Sequence, residues 1–394
     1  MNGYVRPTGP LACVVGARPN YMKMAPLLRA FSARPDLPTT MLVHTGQHYD
    51  VAMNERLFTD LELPAPDINL EAGSGSHAVQ TAEIMQRFEP VLDRLAPSCV
   101  IVVGDVNSTL ACSLVAVKKG VRVVHIEAGL RSFDRQMPEE INRVLTDQIA
   151  DRLYTTERAA EDNLSREGIP AERIRFAGNV MIDSLMQHRK RAVAPAVTLA
   201  NAGIDAGFID SSVGYGVVTL HRPSNVDDLG ALRECLAMLN DVAIRLPLIW
   251  PMHPRARRNI EAAGLWPKLV AARVAVLPPQ GYLEMLGLLA NARLALTDSG
   301  GIQEETTALG VPCLTMRDNT ERPITLEQGT NTLVGRDARR AQECLEAILA
   351  NGGKRGRVPE LWDGHAAERI AQDLAYWLDH ADAGSKALSP AGVQ

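Results

Sequence analysis

The sequence lacks an apolar run long enough to cross a membrane, a CxxC pair, and a surplus of basic residues. No window of the 394 residues approaches the roughly 18 uninterrupted apolar residues a spanning helix needs, so no membrane partner is expected. Residues 1–10, MNGYVRPTGP, have no apolar stretch of the secretory-signal type, and a soluble, cytoplasmic protein is the expectation. The 41 Lys and Arg stand against 46 Asp and Glu, a formal net charge of −5, with no basic run able to track a nucleic-acid backbone; nucleic acid is therefore not an expected partner. The six cysteines (Cys13, Cys99, Cys112, Cys235, Cys313, Cys344) stand in apolar strand-like or helical contexts. They read as reduced core residues, and no metal site is expected. The GxGxxG fingerprint is missing as well. Gly16-Ala-Arg-Pro-Asn20 follows the first apolar run, and Gly73-Ser-Gly75-Ser lacks the third glycine, which disfavours a nicotinamide cofactor and leaves none expected.

What is present is a chain too long for one ordinary core, with 46% apolar residues arranged in short runs between helical stretches. The runs Ala12–Val15, Thr40–Val43, Cys99–Val103, Arg122–Ile126 and Arg152–Thr155 read as strands buried on both faces of a parallel sheet. The pattern returns at Gly216–Leu220, Leu248–Trp250, Val274–Leu277, Leu294–Thr297 and Val311–Thr315. The fold class is thus α/β, with two Rossmann-like, doubly wound domains. Residues 1–188 form the first and 189–365 the second, with a connection within 187–214; residues 366–383 form an amphipathic helix that crosses back to the first, ahead of a loose tail ending at 394. Ligands are expected in the crevice where the carboxyl ends of both sheets meet.

Leu296–Glu305, LTDSGGIQEE, carries the densest chemistry. A strand ending at Thr297 and a turn at Ser299-Gly300-Gly301 leave bare backbone N–H groups at the start of a helix read as Ile302–Leu309, an arrangement suited to phosphate. Glu304 and Glu305 then fall in the first helical turn, where one of them would accept ribose hydroxyls. In the first half, Arg18 and Lys23 follow the first strand and are candidates for holding phosphate or substrate. His44 and His48 flank a glycine turn with no third ligand, and line a substrate cleft better than they hold metal. Asp105 and Glu127 follow neighbouring strands, and Pro138-Glu139-Glu140 opens a helix with a further acid. Such residues also serve as caps, but two adjacent strand ends delivering carboxylates suit acid/base chemistry. In the second half, His221 and His253 are titratable groups after strands. Arg222 lies beside His221, and Arg322 is placed to reach a pyrophosphate or to pair with Glu321 or Glu327.

In these segments the chain resembles the bacterial non-hydrolysing UDP-N-acetylglucosamine 2-epimerases. The matching pieces are GARPNYMKMAPL (16–27), TGQHYD (45–50), GDVNSTLA (104–111), HIEAGLRS (125–132), PEEINR (138–143), GN (178–179), HRPSN (221–225), LTDSGGIQEE (296–305) and MRDNTERP (316–323), in unbroken order. The resemblance implies a glycosyltransferase-B-like fold, an active site in the interdomain cleft and a homodimer. It places Asp105, Glu127, Glu139 and His221 on the proposed catalytic positions. Arg18, Ser299, Gly300, Glu305 and Arg322 fall on UDP contacts, to which the local reading adds Lys23 and Gly301. Gln47, Arg222 and His253 correspond to a second, activating UDP-sugar site. Asn20 and Pro223-Ser224 depart from the family's usual Arg-Pro-Glu and His-Arg-Arg-Glu, and the segment between Glu127 and Glu139 is about two residues shorter than in some members. The departures spare the acid/base positions and bear on the activating site and the sugar.

The implied reaction interconverts UDP-N-acetylglucosamine and UDP-N-acetylmannosamine, a sugar supply for surface polysaccharide. Carbon 2 has no adjacent carbonyl, so proton removal alone would leave an unstabilised carbanion. General-base help of roughly 10²- to 10⁴-fold does not overcome that. Departure of UDP from carbon 1 passes the charge to a pyrophosphate and leaves 2-acetamidoglucal, to which UDP re-adds. The competing readings are an epimerase of a diacetamido or uronic UDP-sugar, a hydrolysing epimerase, a glycosyltransferase-B enzyme and a catalytically silent UDP-sugar sensor.

Overall fold

The computed structural model describes residues 9–46, 51–209, 212–270 and 273–385. It divides into two units, Met1–Ser184 with Asp363–Gln394, and Leu185–Trp362. His188, whose ring stands edge-on to Tyr282 with centroids 6.0 Å apart, falls in the second unit.

The first unit holds strands β1 (Leu11–Val15), β2 (Thr40–His44), β3 (Ile68–Asn69), β4 (Cys99–Val103), β5 (Val123–Ala128), β6 (Arg152–Thr155) and β7 (Ile174–Phe176). They form one parallel sheet in the order β3-β2-β1-β4-β5-β6-β7. The sequences LACVV of β1 and CVIVV of β4 are apolar at every position because helices cover both faces of the sheet. Helices α1 (Arg18–Ser32), α2 (Val51–Asp60), α3 (His77–Leu95), α4 (Asn107–Lys118) and α5 (Pro138–Ile149) connect the first strands. Ser76 caps α3 by accepting from the Val79 N–H, and Pro138 occupies the first turn of α5, where its missing N–H costs nothing. Val14, Val43, Phe88, Val100, Val102 and Val115 are part of one continuous core. The helix Ala366–Ser385 packs on α1. Its first N–H groups, of Ala366 and Ala367, donate to Asp183 at 3.1 and 2.7 Å, and its Asp373 receives Arg152 Nε at 2.9 Å and the Tyr154 hydroxyl at 2.8 Å.

The second unit holds β8 (Gly216–Thr219), β9 (Leu248–Pro251), β10 (Val274–Leu277), β11 (Leu294–Thr297), β12 (Cys313–Thr315) and β13 (Asn331–Leu333), all parallel, in the order β10-β9-β8-β11-β12-β13. Trp250, Leu236, Leu239, Leu296 and Leu345 lie in its main core. The stretch 187–214, read as a connection, contains the helix Pro195–Asn201, whose Leu199 is buried in a second core with Tyr215, Ile249 and Leu288. In both sheets the strand order reverses once, between β1 and β4 and between β8 and β11. In open α/β sheets that switch point is where the connecting loops part and a ligand enters.

Candidate active site

The first switch point gathers Arg18, Lys23, Asp105 and Glu127. Arg18 is the first residue of α1, partly exposed, while Lys23 lies one turn on and is buried. Lys23 Nζ meets Glu127 Oε1 at 2.6 Å, with both side chains almost wholly out of water. Lys23 therefore faces an acid of the site. Asn20 braces the same turn: its Oδ1 accepts from Gly16 and Ala17 N–H at 3.2 and 3.0 Å, and its Nδ2 donates to the Val103 carbonyl at 2.9 Å.

Glu127 lies within β5 and not beyond it. The pairing of β5 with β6 slips between Ile126 and Ala128, and Glu127 takes φ +69°. A non-glycine residue in that region is held there by its surroundings. Asp105 follows β4 after Gly104, itself at φ +66°. Arg143 Nη2 bonds Asp105 Oδ2, and Asn142 Nδ2 donates to the Asp105 carbonyl at 2.9 Å. The helix α5 that supplies both also carries Glu139 and Glu140, which the structure separates by environment. Glu139 is half-buried. Glu140 is buried, accepts from Ser132 N, Ser132 Oγ and Phe133 N at 2.9, 3.0 and 2.8 Å, and pairs with Arg143 at 2.6 Å, so it is a fixture of the loop before the helix. Arg131 pairs with Asp147 at 2.7 Å and Glu167 at 2.6 Å, neither of which was a candidate acid.

His44 is buried and stacked on Tyr21, whose hydroxyl lies 2.5 Å from His44 Nε2; burial pushes the imidazole below its ordinary value. Gln47 and His48 lie outside the described residues.

At the second switch point, His221 follows β8 with its side chain 42% exposed, and its Nδ1 lies 3.0 Å from Asp298 Oδ1. Asp298 also accepts from the backbone N–H of His221 and Arg222, at 3.1 and 2.9 Å, and from Asn225 Nδ2 at 3.2 Å. Burial works to raise its pKa, but the hydrogen bond and charge of His221 prevail and hold it below the usual value. Asp298 thus fixes the His221 turn and orients the ring. The His253 ring is 5.8 Å from that of His221, and its Nδ1 caps the helix Pro254–Ala262 by accepting from Arg255 N–H at 3.1 Å.

The helix after β11 starts at Gly300, two residues earlier than Ile302, with Ser299 as its N-cap. Glycine lets the helix begin directly after the turn, so Gly300 and Gly301 lie in the first turn and Glu304 and Glu305 move into the second. Both glutamates are buried. Glu304 Oε2 faces Arg322 Nε at 3.0 Å. Glu305 receives the Tyr282 hydroxyl, and its carboxyl is pushed up to about 7, chiefly by burial, with the Tyr282 bond opposing and the Glu304 charge adding to the rise. Glu321 gathers Arg317 at 2.8 Å, Arg222 at 3.3 Å and Arg322 at 3.4 Å. Burial alone would raise Glu321, but Arg322, Arg317 and Arg222 outweigh it and hold the carboxyl well below the usual range. A Cβ on Gly300 would stand 2.6 Å from Glu321 Oε1, so this guanidinium–carboxylate cluster lies against the helix N-terminus.

Sequence reasoning missed Asp298, Tyr282, His125 and Asp147, while Glu321, expected as a partner of Arg322, does pair with it at 3.4 Å. Asp298 had a signal in TDSGG, where a polar residue interrupts the junction of strand and turn. Among the described residues no group of three or more His, Cys, Asp or Glu is arranged to hold a metal ion.

A family model described as UDP-N-acetylglucosamine 2-epimerase matches residues 29–375. The chain is 40% identical over 369 residues to the UDP-N-acetylglucosamine 2-epimerase of Methanocaldococcus jannaschii, covering 93% of this chain and 99% of that protein. It is 41% identical over 370 residues to the UDP-2,3-diacetamido-2,3-dideoxy-D-glucuronate 2-epimerase of Pseudomonas aeruginosa, covering 92% and 98%. The crystal structure of the Methanocaldococcus jannaschii UDP-GlcNAc 2-epimerase in complex with UDP-GlcNAc and UDP matches with a TM-score of 0.83 at 39% identity, over 93% of this chain and 99% of that one. The glycosyltransferase-B-like class read from the sequence therefore holds, and the chain belongs to the UDP-N-acetylglucosamine 2-epimerase family.

Proposed function

We propose that this chain is a non-hydrolysing UDP-N-acetylglucosamine 2-epimerase that works by elimination and re-addition of UDP. The observation that carries the reading is the placement of Asp105 just after β4 and of Glu127 in the adjacent β5, each carboxylate with its own buried cation, Arg143 and Lys23. Inverting carbon 2 requires a proton to leave one face and return to the other. Two fixed carboxylates supply two such groups. Asp105, Glu127 and Glu139 move the proton, and the bond from carbon 1 to UDP breaks as the carbon 2 proton leaves, giving 2-acetamidoglucal and UDP. The charge set free on the diphosphate is met by the Ser299 hydroxyl and the N–H groups of Gly300 and Gly301 at the helix start, by Arg322 and Arg18, and by a proton or hydrogen bond from His221. Glu305 accepts from the ribose hydroxyls. Return of UDP to carbon 1, with protonation of the opposite face of carbon 2, completes the exchange.

The homodimer and the cytoplasmic location belong to the same reading. Phe133 is exposed before α5, and Ile141 and Leu145 are exposed one turn apart on it, an apolar surface that suits a second copy; light scattering of the purified protein checks the state. Gln47, Arg222 and His253 are assigned to an activating UDP-sugar. A second reading, on a UDP-2,3-diacetamido uronic acid, is favoured by the similarity to the Pseudomonas protein. It shares the chemistry at carbon 2.

The test is incubation with each UDP-sugar in D₂O, followed by NMR. Deuterium at carbon 2 with the epimeric UDP-sugar accumulating is the expected result, while free sugar plus UDP would replace the reading by a hydrolytic one. Asp105→Asn and Glu127→Gln are expected to lower turnover by roughly 10²- to 10⁴-fold with UDP affinity retained. Wild-type turnover in either variant would remove that residue from the mechanism.

A further inference from the structure

Beneath the acids of the first unit lies a charged cluster that the proposed reaction does not use. His125 and Asp147 are both fully buried. His125 Nδ1 is 2.6 Å from Asp147 Oδ1, and its Nε2 is 2.8 Å from the Gly104 carbonyl. A carbonyl oxygen can only accept. Asp147 is an acceptor too, since its other oxygen already receives the Gly129 N–H at 3.0 Å and Arg131 Nη2 at 2.7 Å. Both ring nitrogens of His125 therefore carry hydrogens. The shift of Asp147 agrees: burial works to raise it, but the charges and hydrogen bonds of His125 and then Arg131 hold it below its ordinary value.

A buried cation is costly unless it is closed by a partner, and here the cost sustains a single contact that leads to the site. Gly104 adopts a left-handed conformation immediately before Asp105. Its N–H donates to Ile126 O at 3.0 Å, its carbonyl receives His125, and the next carbonyl, of Asp105, receives Asn142 at 2.9 Å. With Arg143 on the carboxylate, the turn is held from both β5 and α5. We propose that His125 and Asp147 are positioning residues, gripping the Gly104 carbonyl so that the turn presents Asp105 to the substrate. The proposal rests on the epimerase reading above.

Two substitutions of one residue separate this role from mere packing. The amide nitrogen of glutamine reaches the place of Nε2, and that of asparagine the place of Nδ1. His125→Gln therefore keeps the donor to Gly104, whereas His125→Asn keeps only the donor to Asp147. Both lose the charge and the ring, so general destabilisation affects both. His125→Asn is expected to lower kcat by roughly 10- to 100-fold, the scale of a misplaced catalytic group, with KM little changed, and His125→Gln to stay within about fivefold of wild type. Equal losses, or full activity in His125→Asn, would overturn the proposal.

Backbone hydrogen exchange in peptides spanning residues 99–110 gives a readout independent of the substrate. Exchange should be faster in His125→Asn than in His125→Gln, and equal rates would count against the grip. If exchange differs as expected while the wild-type protein epimerises no UDP-sugar, only the functional reading fails. If neither variant folds, ¹⁵N spectra of the wild-type histidines decide: a hydrogen on His125 Nε2 supports the proposal, and a ring that carries its hydrogen on Nδ1 alone overturns it.

Discussion

Glu305 offers a prediction that can be worked through to a number. Its carboxyl is buried under Tyr282 and beside Glu304, and is pushed from 4.5 to about 7, first by burial and next, against the Tyr282 hydrogen bond, by the negative charge of Glu304. Between those two pH values the unfolded chain has released this proton and the folded chain still holds it. Stability is therefore full below about pH 4.5 and falls as pH rises through about 7. At about 1.4 kcal/mol per pH unit, the interval corresponds to about 3 kcal/mol. Glu305→Gln keeps the shape and an acceptor for Tyr282 but has nothing to ionise. The stability of the variant relative to wild type is expected to improve by about 3 kcal/mol between pH 4.5 and pH 8. Urea titrations at several pH values, read by tryptophan fluorescence, measure it; Trp250, Trp266 and Trp362 lie in the second unit and Trp377 in the first, so the signal follows the unit that carries Glu305. Parallel stability curves would refute the reasoning, because they would mean that folding leaves this carboxyl as easily ionised as before. The same titration bears on ligand binding. An ionised Glu305 is the stronger acceptor for ribose hydroxyls, so UDP affinity of the wild type should rise from pH 6 to pH 8 beyond any rise seen with Glu305→Gln, which controls for titration of UDP itself.

The neighbouring acids Glu139 and Glu140 should separate cleanly. Glu140→Gln breaks a buried carboxylate that serves Ser132, Phe133 and Arg143, and is expected to destabilise the first unit by roughly 3 kcal/mol in thermal or urea unfolding; Glu139→Gln should leave unfolding unchanged and lower turnover. Gly104→Ala and Gly120→Ala form a second matched pair. Both place alanine at positive φ, +66° and +70°, but the new methyl meets Lys23 Nζ at 3.1 Å in the first case and nothing within 4 Å in the second. Each should cost roughly 1–2 kcal/mol of stability, while only Gly104→Ala should reduce the rate of deuterium exchange at carbon 2.

The strands were legible wherever an apolar run exceeded three residues. Cys99–Val103 and Leu294–Thr297 have the bounds expected, because a strand covered on both faces must be apolar throughout and ends where polar residues begin. β3, β7 and β13 escaped because two or three residues carry no period, and they pair only because a longer strand offers its edge. Strand order was hidden for another reason: pairing is decided by tertiary packing. It is the order that turns Asp105 and Arg18 from distant residues into neighbours across the β1/β4 switch point. The start of the Gly300 helix was misjudged since glycine disfavours helix interiors, and at a first turn facing a crowded carboxylate that propensity loses to space. Partners such as Asp147 for His125 lie 22 residues away along the chain, and no local pattern announces them.

The two switch points carry opposite electrostatics, and the difference follows the needs of the reaction. In the first unit the candidate proton-transfer groups are carboxylates, and their buried partners are cations: Lys23 on Glu127 and Arg143 on Asp105. In the second unit the donors are a helix N-terminus, His221 and guanidiniums, and the buried counter-charges are anions: Asp298, Glu304 and Glu321. Asp105, Glu127, His221 and Arg322 are thus each held by a buried partner that keeps them oriented when charge moves. In the proposed elimination a proton leaves carbon 2 while negative charge passes to the diphosphate. In the proposed reaction the carboxylates of the first unit match the proton and the donors of the second match the diphosphate, so a chain with almost balanced charge offers both signs.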